Sequence, residues 1–587
     1  MPHSRHTDFP DLLFTGILSL EMKYLFDETI TAIAAHAKEV LGVSAMPIVQ
    51  PANPKFDADF AIPTFMFAKE LGKSPQDIAA QLANNLKHEA VAKAEAVSGF
   101  VNIWLSNPTL GKALGQVSEL NTSFGQHSML KGQNVIIEHT DPNPFKEFHI
   151  GHAYSNTVGE ALGRLYKAGG AEVHQVSYHG DVGKHIAMAL WGVQQLLTQP
   201  DTDWFTRESQ GDLTMADVDE PKQTAFLGAA YALGASAYKD DEKAKNEIEA
   251  INRHIYAHDE QDIEEMYLTG KAWSFAYFED IYSQLGVKFE RQYLESEVGA
   301  EGLEIVRAHP DVFEESDGAM VYKGEKVGLH TRVFINSQGL PTYEAKELGL
   351  TFAKKRDYNF DQSVVVTANE IDEYFKVLIA AIGEIDKELA DKMRHISHGV
   401  VRLTTGKMSS RTGQVIRAVD VLQTIHDTIA ESYETTEVDA VKLSSLKYAF
   451  LRARVGGDIV FDIEESISLE GNSGPYIQYA HARGQSILNK LGDVPSADLT
   501  DLTDDEHKLA VKILQFSATT EKAVTELAPH HICTYLYELT QQFNRFYEKS
   551  RIVGDPRQNQ RAALVLAYTQ VLRNGLGLLN IPAPDKL

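Results

Sequence analysis

Cysteine is almost missing: the 587-residue chain carries one, Cys533. A single thiol excludes an internal disulfide framework and a multi-cysteine zinc knuckle, and it fits a reducing, cytoplasmic setting. Long apolar runs are also lacking, and no stretch reaches the roughly 18 residues that a membrane span requires. Positive charge is scarce, with 55 Lys and Arg against 82 Asp and Glu and a formal net charge of −27. That balance argues against indiscriminate nucleic-acid binding, which rests on phosphate neutralisation, yet it leaves room for a partner that meets local basic patches. No internal repeat or low-complexity tract stands out. The 22 histidines and the carboxylates do not assemble into a ligand motif, so no structural metal is expected. What remains is an ordinary globular composition, 43% hydrophobic and 23% charged, at a length sufficient for several domains.

The most informative stretch is residues 134–152, NVIIEHTDPNPFKEFHIGH. Val135-Ile136-Ile137 has the β-branched content of a buried strand, and Pro142 and Pro144 end regular structure after it. His149-Ile150-Gly151-His152 then opens a helix whose apolar positions Tyr154, Val158, Ala161, Leu162 and Leu165 recur at helical spacing, stopped by Gly169-Gly170. A strand, a turn and a helix N-terminus bearing two imidazoles and a close-approach glycine form an anion site, because free N–H groups and the positive dipole end converge there.

Around this centre the chain divides. Residues 1–22 contain a faintly signal-like Leu12–Leu20, but Asp8, Asp11 and Glu21 surround it and no cleavage site follows; they read as a non-essential leader ahead of a start at Met22. Residues 23–120 read as a small α+β domain, with Ser74-Pro75 opening a helix and Phe100–Leu105 a half-buried strand. From 121 to 415, strand and helix patterns alternate, with Val173–Tyr178, Ser363–Thr367 and Ile396–Leu403 as further strands. Such alternation specifies an α/β class, a Rossmann-like doubly wound parallel sheet that places ligands at the carboxyl ends of its strands. A polar, mainly helical insertion interrupts it at about 199–290, its acidic 199–221 segment reading as a solvated surface loop. Residues 416–587 read as entirely helical, with Leu536, Leu539, Phe543 and Phe546 forming a bundle stripe.

A second motif, Gly406-Lys407-Met408-Ser409-Ser410-Arg411-Thr412-Gly413, follows the Ile396–Leu403 strand. Glycines on both sides permit movement and Lys407 and Arg411 supply cations, which suits expulsion of pyrophosphate. With HIGH and GKMSS in order on one sheet, the chain resembles class I aminoacyl-tRNA synthetases. The segments HGDVGKH, PTYEAKELGL, GPYIQYAHAR and VLRNGLGLLNIP narrow the resemblance to arginyl-tRNA synthetases, as do ELGKSPQDIA and GFVNIWL in the front domain.

The resemblance implies an N-terminal tRNA-binding domain, a catalytic domain and a helical anticodon-binding domain. It also implies ATP with accompanying Mg2+, L-arginine and tRNA(Arg) as reactants and partners, a monomeric state and an arginine activation that needs bound tRNA. His149 and His152 would contact the ATP phosphates, with His149 also near the amino acid, and Gly151 would admit the adenine ring. Lys407 would hold the β- and γ-phosphates; Ser410 replaces the second lysine of the family's KMSKS, and Lys146 is the expected substitute. Glu138 and Glu347 would grip the guanidinium, with Tyr343 one helical turn from Glu347 and Asn143 at the substrate's backbone end. Ile371 occupies the position of a family glutamine, so that contact is either missing or shifted to Glu370 or Asp372; Glu370 is also a candidate for ATP. In the bundle, Tyr476, Gln478, Arg483 and Arg545 are candidates for tRNA, although Tyr476, Tyr479 and Phe546 at helical spacing more often belong to a core. Two other readings compete: a HIGH-type nucleotidyltransferase acting on a small metabolite, and a non-catalytic tRNA-binding relative. The long helical third weighs against the first and intact His149, His152 and Lys407 against the second.

Overall fold

The computed structural model describes residues 24–199, 203–205, 213–404, 416–492 and 497–587. The leader, Lys407 and the rest of the Gly406–Gly413 motif therefore lie outside the described residues, as do residues 200–202 and 206–212 of the acidic segment. No helix among the described residues is long and apolar enough to cross a membrane.

The front of the chain packs Leu25–Leu41 and Pro75–Asn85 on a four-stranded antiparallel sheet. The Ser74 hydroxyl accepts the Asp77 N–H at 3.1 Å and Pro75 takes the first helical position, so the helix begins where its cap chemistry places it.

The centre is a five-stranded parallel sheet. Its strands are β1 (Asn134–His139), β2 (Glu172–His179), β3 (Arg291–Leu294), β4 (Gln362–Ala368) and β5 (Met393–His398), in spatial order β5-β4-β1-β2-β3. Val135, Ile136 and Ile137 are fully buried because helices cover both faces. The order reverses between β1 and β4, and that switch opens a crevice beyond the carboxyl ends of these two strands. Helix α1 (Ile150–Ala168) starts at this crevice. The Ser155 hydroxyl at its start accepts from Thr140 N at 3.2 Å and donates to Val366 O at 2.9 Å, tying α1 to the ends of β1 and β4 together.

Between β2 and β3 lie helices α2 (Lys184–Leu197), α3 (Gln223–Asp240), α4 (Glu242–Ala257) and α5 (Gln261–Gln284), which share a core of Ile186, Leu190, Phe226, Ile248 and Tyr267. The end of β2 is fastened to them at Asp181. Its buried carboxylate accepts from Lys271 at 2.7 Å, Tyr267 at 3.0 Å and both Ser296 N and Oγ. Helices α6 (Glu295–Ala308), α7 (Tyr343–Tyr358) and α8 (Asp372–Ile385) complete the catalytic layers, joined by a small antiparallel sheet of Glu314–Ser316, Ala319–Tyr322 and Arg332–Ile335.

Two expectations are corrected here. The Ile396–Leu403 run is not one strand: β5 ends at His398, and Val401–Leu403 leaves the sheet to pair in parallel with Ile459–Phe461. Gly399 explains the break, since a Cβ there would lie 2.4 Å from Gly457 C; only a bare backbone lets the two chains touch. The same pairing puts a short strand in the region read as entirely helical. Its remainder is a helical bundle in which Leu536, Leu539, Phe543 and Phe546 are fully buried.

Candidate active site

The turn between β1 and α1 is conformationally costly. Thr140, Asp141 and Phe145 all have positive φ (84°, 44° and 64°) although none is glycine. Such residues cost about 1–3 kcal/mol each and persist only where surroundings over-determine them. Here the Asp141 carboxylate accepts from Tyr178 N at 2.8 Å and Ser177 Oγ at 3.2 Å. The Phe145 ring is buried and its N–H reaches Ser274 Oγ at 2.9 Å.

His149 caps α1 in a reciprocal box with His152. Each Nδ1 accepts the other residue's backbone N–H at 3.2 Å, and the rings stack with centroids 3.5 Å apart. An Nδ1 that accepts cannot carry the proton, so each neutral ring bears it on Nε2 and offers an N–H donor. Burial, then the charge of Lys146, pushes His149 down to about 4, and burial with the His149 and Lys146 charges holds His152 well below the usual range. Both imidazoles are thus neutral donors at pH 7, suited to phosphate oxygens. Gly151 sits between them.

Beside the turn lies a wall of buried acids. Glu138 at the end of β1 is 2% exposed and receives Lys354 Nζ of α7 at 2.6 Å. Glu347, two turns before Lys354 on the same helix, is buried as well, and its Oε1 accepts no hydrogen bond among the described residues. Burial and the neighbouring Glu138 charge hold the Glu347 carboxyl well above the usual range, and the same two causes raise Asp141. Glu295 at the start of α6 is buried against Lys346. The buried Tyr178 hydroxyl also lacks a hydrogen-bond partner among the described residues. Four acids, Glu138, Asp141, Glu295 and Glu347, thus face two buried ammonium groups, Lys346 and Lys354. A buried, unpaired carboxylate is stable only when protonated or when a cation arrives. Asn143 lines the same wall, its Oδ1 accepting Gly180 N at 3.2 Å. Tyr343, the first residue of α7, is exposed, with Lys346 Nζ 5.1 Å from its ring centroid.

The structure therefore gathers Glu138, Asn143, Lys146, His149, Gly151, His152, Tyr343 and Glu347 around the carboxyl ends of the sheet. Glu370 and Ile371 lie in the exposed turn directly after β4, and Asp372 Oδ1 sits 3.7 Å from His395 Nδ1. Lys407 lies outside the described residues, but the chain resuming after it returns to the HIGH turn. Ile150 N donates to Ile416 O and Ala418 N to Phe148 O, both at 2.9 Å.

Sequence reasoning overlooked Lys354, Lys346, Glu295, Asp141 and Tyr178. The available signal was on α7, where Lys346, Glu347 and Lys354 fall at spacings that share a side with buried Leu350. Lys354→Met should leave Glu138 as an uncompensated buried charge and destabilise the protein by about 3–5 kcal/mol. Thermal unfolding at pH 7.5 measures this, and an unchanged Tm would show that water, not Lys354, stabilises Glu138.

In the bundle, Arg483 lies between two half-exposed rings, 4.9 Å from the Tyr479 centroid and 5.7 Å from that of Tyr547. Arg545 is exposed beside them, and Tyr476 receives Asn544 Nδ2 at 2.8 Å. Phe546 is core. Gln478 is a correction: it is fully buried, and its amide donates to Ala440 O at 3.1 Å and Pro582 O at 2.7 Å. It fastens the final segment to the bundle and presents nothing to an RNA.

The chain matches the arginyl-tRNA synthetase N-terminal domain over residues 22–105, the class I (R) tRNA synthetase catalytic domain over 116–448 and the DALR anticodon-binding domain over 477–587. It is 30% identical over 551 residues to the arginine–tRNA ligase of Streptococcus agalactiae, covering 90% of this chain and 94% of that one. With the arginine–tRNA ligase of Treponema denticola it shares 28% identity over 589 residues, covering 94% and 97%. The fold resembles that of Thermus thermophilus arginyl-tRNA synthetase, with a TM-score of 0.75 at 24% identity over 95% of this chain and 100% of the other. On the strength of a catalytic-domain match spanning more than half its length, the chain belongs to the arginyl-tRNA synthetase family of class I.

Proposed function

We propose that the crevice beyond β1 and β4 performs arginine–tRNA ligation in two steps. The arginine carboxylate attacks the α-phosphorus of ATP, expelling pyrophosphate and leaving arginyl-adenylate; a terminal ribose hydroxyl of tRNA(Arg) then takes the arginyl group and AMP departs. The observation that carries the choice of amino acid is Glu347, a buried carboxyl whose Oε1 has no partner among the described residues, beside an acid-rich wall. A guanidinium offers the planar fork of donors this carboxylate lacks. Glu138 strengthens the field, and Asn143 holds the substrate's backbone end. An amino acid without that fork leaves the buried groups unpaired, which can reject it by about 10⁴–10⁵-fold.

The two Nε2–H donors of His149 and His152 meet phosphate oxygens where charge grows as the α-phosphate is attacked. Lys146 supplies the cation that Ser410 does not provide, and Mg2+ travels with the ATP phosphates. Arg483 and Arg545, with the stacking faces of Tyr479 and Tyr547, receive the anticodon. Arginine-dependent pyrophosphate–ATP exchange should appear only when tRNA is added; equal exchange without tRNA contradicts the tRNA requirement, and failure to charge any tRNA contradicts the whole reading.

A further inference from the structure

Lys146 makes no ion pair among the described residues, yet its side chain is not loose. Its ammonium lies over the ring of Tyr231, 4.7 Å from the centroid. Tyr231 belongs to α3, in the insertion, far in sequence from the HIGH turn. The same helix touches the next residue of the turn: a Cβ on Gly228 would sit 3.3 Å from Glu147 Cγ. Glu147 in turn meets Arg417 at 3.3 Å, and Arg417 forms a backbone bridge with His149. One face of α3, with Gly228 and Tyr231 three residues apart, therefore rests on the consecutive turn residues Glu147 and Lys146.

We propose that Tyr231 is a positioning residue for adenylate formation: its ring face holds the Lys146 ammonium pointed at the ATP phosphates. A lysine has four rotatable methylenes and a compact charge, so an unrestrained ammonium spends most of its time away from any one oxygen. A carboxylate partner would restrain it at the cost of neutralising it. An aromatic face restrains without neutralising, because the attraction comes from the ring quadrupole. The placement also agrees with Lys146 acting electrostatically on His149, His152 and His185. The insertion thereby becomes part of the phosphate site and not merely an appended surface.

This inference rests on the role proposed for Lys146, and a double-mutant cycle separates the two. Exchange is measured on the full-length enzyme with saturating arginine and tRNA. Tyr231→Leu should lower kcat/KM for ATP by about 3- to 30-fold, with KM for arginine and Tm unchanged. Tyr231→Phe keeps the ring and should restore activity. In a Lys146→Ala background, Tyr231→Leu should add no further loss. Full additivity in that background, or wild-type activity of Tyr231→Leu while Lys146→Ala is impaired, overturns the positioning role alone. A Lys146→Ala variant with wild-type activity removes both proposals.

Discussion

Glu347→Gln should raise the KM for arginine by about 10²- to 10³-fold while leaving the ligand-free protein at least as stable as before. The first half follows from removing one member of a desolvated charge pair, which costs about 3–5 kcal/mol because the substrate guanidinium then enters an acidic wall without its closest acceptor. The second half follows from the electrostatics of the same carboxyl. Burial and Glu138 raise its pKa in the folded protein above that of the unfolded chain. A group so raised stabilises the fold only below the ordinary glutamate pKa of about 4.3, and that contribution is lost as pH rises toward the folded value. The amide has no proton to lose, so the variant's Tm advantage should grow from pH 4 to pH 8. Arginine binding reverses the shift by supplying a cation, and it should therefore release a proton, measurable by calorimetry in buffers of different ionisation enthalpy. A variant with unchanged KM would show that the guanidinium sits elsewhere.

Lys146→Ala is the second large effect. Pyrophosphate departure places charge on oxygens that only preorganised cations and donors stabilise, and removing one such group costs about 10²- to 10³-fold in kcat. Since Lys146 makes no ion pair among the described residues, its loss should leave Tm nearly unchanged, in contrast with Lys354→Met. Lys146→Arg, which keeps the charge, should recover part of the rate. Normal turnover of the alanine variant would mean that another cation compensates for Ser410.

The helix opening at His149, the cap at Ser74 and the apolar strands of the sheet were legible because each depends on neighbours within a few residues. Strand ends were less so. Gly399 breaks the run after Ile396 through contact with Gly457, and no local pattern announces a partner so far along the chain. Gln478 shows the same blindness in the bundle: its motif resembles an anticodon segment, but only packing against Pro582 reveals that the side chain is buried and its amide nitrogen engaged.

The sequence by itself determined the class, through two phosphate-side motifs in order on alternating strands and helices, and the resemblance it carries named Glu138 and Glu347 as the acids to examine. Only the tertiary structure decided what state those acids are in. Lys354 neutralises Glu138 across the β1–α7 contact while Glu347 Oε1 has no hydrogen-bond partner among the described residues, and Tyr231 comes over Lys146 from the insertion that follows β2 in the chain. The reason is physical: a charge's energy depends on every neighbour in space and on the water excluded around it, and neither is written in the spacing of residues along a chain.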